Sequence, residues 1–157
     1  MDKCIFKIKY IYLLYMKIIN VNSQKSVKTF NNLANKGKVM VAFVATWCGH
    51  CQNLKPIWKK MVKMMKKKGI NGVIALVYSD YREQIDLNNN CDGYPTIRLY
   101  KDGKIVNDFN GNWTQKDVLS KEANRFFRGK SKKSKSKKRT KKKRKRKRKK
   151  MTRKRKR

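Results

Sequence analysis

A chain of 157 residues can bury one sizeable core and is too short for two. Its 45 lysines and arginines against 9 acidic residues give a formal charge of +36, with 22 of the basic residues and no acid falling between positions 130 and 157. That stretch has almost no apolar side chains to offset the entropy of ordering, so it is excluded from any core, and four cysteines at this length exclude a disulfide scaffold.

The chain opens on a segment, residues 1–17, with lysines at 3, 7 and 9 ahead of an apolar run from Tyr10 to Met16. A basic start and a short apolar run suit a secretory signal, but no small-residue cleavage site follows, and the run falls well short of the ~20 residues of a membrane span. Two readings stay open: a signal peptide or weak anchor, and an extra strand or helix packed on the domain. From Ile18 strands and helices alternate. Residues Ile18–Val21 read as a short strand, and Ser26–Asn35 as a helix with Val27, Phe30, Leu33 and Ala34 on one face. Val39–Ala45 is a nearly continuous apolar run of strand length, as expected of a central strand covered on both faces. A helix is expected from Gly49 to Lys68, with Leu54, Ile57, Trp58, Met61, Val62 and Met65 at helical spacing. Val73–Tyr78 reads as a second buried strand and Arg82–Asn90 as a short helix. Thr96–Tyr100 and Ile105–Phe109 flank an Asp102-Gly103 hairpin turn. Thr114 is the expected N-cap of a last helix whose apolar face is Val118, Leu119, Ala123, Phe126 and Phe127. This order predicts an α/β domain over residues 18–128, a mixed central sheet flanked by helices, followed by a disordered basic tail at 129–157.

The chemistry centres on Trp47-Cys48-Gly49-His50-Cys51, where a buried strand turns into a helix. Only a thiolate attacks a disulfide, and a cysteine at a helix N-terminus faces unpaired backbone N–H groups that favour its charge. Cys48 is therefore expected to be the exposed nucleophile, and Cys51, one turn in and more buried, the thiol that resolves the mixed disulfide. His50, the only histidine in the chain, can hydrogen-bond to or electrostatically favour the Cys48 thiolate. Gly49 permits the tight helix start, and Trp47 can shield one side of the pair. Gly93-Tyr94-Pro95-Thr96 precedes a strand, where proline is tolerated at the first residue; a cis Tyr94–Pro95 bond would bring this backbone against the cysteines and offer a substrate-binding edge. A C-x-x-C can also be half of a zinc site, but completing one would take Cys4, Cys91 or His50, none at ligand spacing, so no metal is expected. An inert structural disulfide is a further alternative, and Cys91 reads as a small hydrophobe in the packing.

The run VMVAFVATWCGHCQNLKP at 39–56 together with GYPTIRLYKDG at 93–103 resembles the thioredoxin superfamily, most closely the domains of protein disulfide isomerases. The resemblance covers roughly residues 18–128. It implies the thioredoxin fold, a cis Pro95, a nucleophilic Cys48, a resolving Cys51, and a helix interrupted by Pro56. Two departures stand out. Family members usually bury an acid under the pair, six residues before the first cysteine, where this chain has Ala42; and an arginine common after the glycine near the last helix is replaced by Asn112 after Gly111. The resemblance thus implies thiol–disulfide exchange with protein substrates and no cofactor beyond the dithiol, while efficient isomerase turnover is in doubt.

Residues 130–157 carry no aromatic side chain for base stacking, so any nucleic acid or other polyanion bound there would be held without sequence preference and released by salt. The same composition could direct the chain to a nucleus. A second function class follows: a polyanion-binding or virion-associated protein using the folded domain as a scaffold. A monomer is expected, and the compartment stays open between a secretory or endoplasmic-reticulum type, a virion and the nucleus.

Overall fold

The computed structural model describes residues 16–115 and 117–129. The readings of residues 1–15, with Cys4, and of the tail from residue 130 lie outside the described residues. Five strands, β1 (Lys17–Val21), β2 (Lys38–Val44), β3 (Val73–Tyr78), β4 (Thr96–Lys101) and β5 (Lys104–Asp108), form one sheet in the order β1-β3-β2-β4-β5. The first three run parallel, and β4 and β5 are antiparallel to their neighbours. This is the mixed sheet that the sequence predicts.

β2 lies at the centre, hydrogen-bonded on both sides, and every residue from Val39 to Ala45 is fully buried. Its apolar run is continuous because both faces are covered. Met40, Ala42 and Val44 face a cluster built from α2 (Gly49–Lys67) and α3 (Val118–Arg128), while Val39, Val41 and Phe43 face α1 (Gln24–Ala34). α1 starts two residues earlier than expected because Ser23 and Ser26 make a reciprocal capping box: Ser23 Oγ accepts from the Ser26 amide at 3.3 Å, and Ser26 Oγ accepts from the Ser23 amide at 3.0 Å.

Two expectations are corrected. The helix expected over Arg82–Asn90 is instead a 3-10 helix at Ser79–Gln84 followed by an irregular segment. The segment is instead tied from outside to β4, whose side chains bind backbone carbonyls near its end. Tyr100 donates its hydroxyl to Asn88 O at 2.5 Å and Arg98 donates to Asn90 O at 2.7 Å. Ile85 and Leu87 still reach the core from this loop. Thr114, the expected N-cap of α3, lies four residues before the helix: its amide donates to Asn112 Oδ1 at 3.0 Å, closing a local turn. Asp117, in the left-handed region at φ 64°, occupies the cap position without a side-chain cap bond.

The two ends of the sheet differ in chemistry. β2 delivers the chain to Cys48 at one pole. At the other, Lys38 at the start of β2 donates from Nζ to the carbonyls of Phe126 and Phe127 at 2.7 and 2.8 Å, tying down the last turn of α3. Gly72, at φ 144°, sits against Phe127 at this same pole, where a Cβ would fall 2.4 Å from the ring. Both α2 and α3 therefore run away from Cys48 and end together.

Candidate active site

Cys48 is the N-cap residue of α2, with extended backbone angles (φ −86°, ψ 113°), so its sulfur faces the free amides of the first turn. The Cys51 amide donates to Cys48 Sγ at 3.2 Å, and the Cys51 thiol lies 2.7 Å from the same sulfur. Both cysteines are free thiols, and their sulfurs stand close enough to be paired in a disulfide. The Tyr94–Pro95 peptide is cis, and Tyr94 O lies 3.4 Å from Cys48 Sγ, so two elements 46 residues apart in sequence meet at this atom. Trp47 is 77% exposed and packs edge-to-face on Tyr94, ring centroids 5.8 Å apart at 87°.

The expected exposed nucleophile is corrected in degree. Cys48 is only 8% exposed, against 0% for Cys51, because Tyr94 and the Cys51 sulfur close around it. The surface beside it is formed by Trp47, Gly49 and His50, which are all exposed. His50 departs further from expectation. It is the second residue of α2, its side chain points to solvent, and no hydrogen bond joins it to either sulfur.

Burial pushes the Cys51 thiol up to about 11, helped by its bond to Cys48; a backbone hydrogen bond from Ala45 and the Lys55 ammonium act the other way. Ala42 is fully buried in the cluster that holds both cysteines. Among the described residues no carboxylate belongs to that cluster. Lys55 was not singled out by the sequence: it lies one helical turn after Cys51, bonded to Gln52 Oε1 at 3.0 Å. Its i+4 spacing from Cys51 on the active-site helix was the available signal. A second omission is Arg82, which donates to Cys91 Sγ at 3.3 Å. Cys91 is half-buried against the α1-side core, and Arg82 gives it a charged partner that packing alone does not require.

A family model described as thioredoxin matches residues 20–125. The chain belongs to the thioredoxin family. Among curated relatives, this thioredoxin domain is 39% identical over 92 residues to protein disulfide isomerase-like 2-3 of Oryza sativa subsp. japonica, covering 59% of this chain and 19% of that protein. It is 32% identical over 91 residues to protein disulfide-isomerase A4 of Homo sapiens, covering 58% and 14% respectively. The chain thus spans less than a fifth of either relative. Among solved structures, thioredoxin of Fasciola hepatica is 27% identical with a TM-score of 0.51, matching 69% of this chain and 98% of that one. The J-Trx1 fragment of ERdj5 shares the fold at 20% identity and a TM-score of 0.52, over 71% of this chain and 52% of that fragment. Compactness of the match to an isolated thioredoxin accords with a domain whose described sheet has five strands.

Proposed function

We propose that this thioredoxin domain is a thiol–disulfide oxidoreductase acting on protein substrates through Cys48 and Cys51. The observation that carries the reading is the 2.7 Å approach of the two sulfurs at the N-terminus of α2, beneath the cis Tyr94–Pro95 backbone. The curated relatives named as protein disulfide isomerases support the same chemistry.

In the reducing direction the Cys48 thiolate attacks one sulfur of a substrate disulfide. The substrate S–S bond breaks, a Cys48–substrate bond forms, and the released substrate thiolate takes a proton from water. Cys51 then loses its proton and attacks Cys48 Sγ, expelling the second substrate thiol and closing the Cys48–Cys51 disulfide. Two electrons pass to the substrate, and an external thiol reductant restores the pair. The oxidising direction runs the steps in reverse and needs a disulfide oxidant. The Cys51 amide supplies a donor to Cys48 whenever that sulfur carries negative charge. Tyr94 and Pro95 form the edge along which a substrate backbone would lie, and exposed Trp47 offers it an apolar face. With alanine at 42, removal of the Cys51 proton falls to solvent, which favours simple exchange over rapid isomerisation.

Reduction of a disulfide-bonded model protein by dithiothreitol, with and without the chain, tests the reading. Cys48→Ser should abolish the acceleration, and Cys51→Ser should accumulate a Cys48–substrate mixed disulfide on a non-reducing gel. Acceleration that survives Cys48→Ser would refute it. Equilibration with glutathione buffers then fixes the direction: a potential near that of disulfide isomerases marks an oxidant, and a thioredoxin-like one a reductant.

A further inference from the structure

The charge of the folded domain is as uneven as that of the whole chain. Between residues 3 and 79 the sequence holds no aspartate or glutamate. α2 carries the densest part of this excess: Lys59, Lys60, Lys63, Lys66 and Lys67 are all exposed, and Lys68 follows at its C-cap. At helical spacing, 59, 63, 66 and 67 fall on one stripe, with 60 beside it. Lysines one turn apart, as at 59 and 63 or 63 and 67, repel and weaken a helix unless something neutralises them. Nothing on the domain does: the ion pairs among the described residues are Arg82–Glu83, Arg98–Asp108 and Arg125–Glu122, none of them on α2.

We infer that the outer lysine stripe of α2 is a nucleic-acid surface that holds the phosphate backbone of a duplex without reading its sequence. Spacing supports the partner. Lys59, Lys63 and Lys67 recur every ~6 Å along the helix, a one-sign ladder that suits a uniformly charged backbone. Absence of aromatics supports the duplex: the stripe has no ring on which unpaired bases could stack. The stripe also lacks what a membrane surface needs. The exposed large apolar side chains, Trp47, Ile105 and Val106, belong to the active-site end and to β5, and none stands among the lysines to enter a bilayer. The stripe occupies the C-terminal half of α2, and Cys48 lies at the other end of the helix.

The test uses the full chain and a labelled 20-base-pair duplex of arbitrary sequence, read by fluorescence anisotropy across a salt series. Each phosphate contact contributes about 0.9 to the slope of log affinity against log salt. Changing Lys59, Lys63, Lys66 and Lys67 together to glutamine should therefore lower the slope by about 2 to 4, with helix content and the rate of Cys48–Cys51 reduction by dithiothreitol unchanged. Arginine at the same four positions should restore it. An unchanged slope in the glutamine variant would overturn the inference and leave all binding to the tail. Phosphatidylserine vesicles that displace the duplex from the unmodified chain, but not from the glutamine variant, would overturn it in favour of a membrane surface.

Discussion

The step most sensitive to the missing acid is the attack by Cys51. Its thiol is fully buried and held near 11, against about 8.5 for an unperturbed cysteine. A thiol titrating at 11 is ionised to about one part in 10,000 at pH 7 and one in 1,000 at pH 8, each unit of pH giving a tenfold change. In a mixed disulfide between Cys48 and glutathione the Cys48 contribution is gone but the burial stays, so release should accelerate about tenfold per pH unit above pH 7 and level off only above the ordinary thiol value of about 8.5. Burial, the largest cause of the shift, does not depend on the state of Cys48. Stopped-flow mixing of the preformed glutathione adduct, followed through Trp47 fluorescence across a pH series, measures the rate directly. Ala42→Asp supplies the contrast, since a carboxylate at that position could accept the proton and flatten the profile, provided a melting curve shows the variant folded. A profile that levels off at or below about pH 8.5 in the unmodified chain would refute the reasoning, because the Cys51 thiol would then not be held above its ordinary range.

Arg98 is nearly buried and binds Asp108 through two guanidinium nitrogens at 2.5 and 3.0 Å, as well as Asn90 O. Arg98→Met should cost about 2 kcal/mol, less than a fully buried pair because Asp108 is partly exposed, and should raise amide exchange across residues 86–95; unchanged exchange there would show that the loop is held by other contacts. Gly72→Ala should destabilise by more than 1 kcal/mol in a denaturant titration, because its φ of 144° and the Phe127 ring both exclude a side chain.

The order of strands and helices was legible because the period of apolar residues changes cleanly: continuous across β2 and β3, helical across α2. The cysteine motif was legible for a different reason, since its meaning is local, two cysteines three positions apart at a strand-to-helix junction. What failed depended on contacts distant in sequence. The loop after Gln84 looks helical in isolation, and its ties to Arg98 and Tyr100, on a strand later in the chain, are contacts that local pattern does not contain. His50 adjoins Cys48 in sequence, which suggests a hydrogen bond or an electrostatic influence on its thiolate, but adjacency does not reveal that the side chain is exposed and makes no hydrogen bond to either sulfur. The near-burial of Cys48 required knowing that Tyr94 O reaches its sulfur. Arg82 and Cys91, nine residues apart, give no periodic signal that would pair them.

α2 is the rod that joins the two poles of the domain, and its 19 residues measure about 28 Å from end to end. That distance sets a lever arm. Attached to a support at the pole opposite Cys48, the chain would hold its sulfurs facing outward, clear of the support by about that length. A tether fused after Gly129 would therefore orient the chemistry as well as anchor it, which makes this small domain suited to immobilised disulfide exchange.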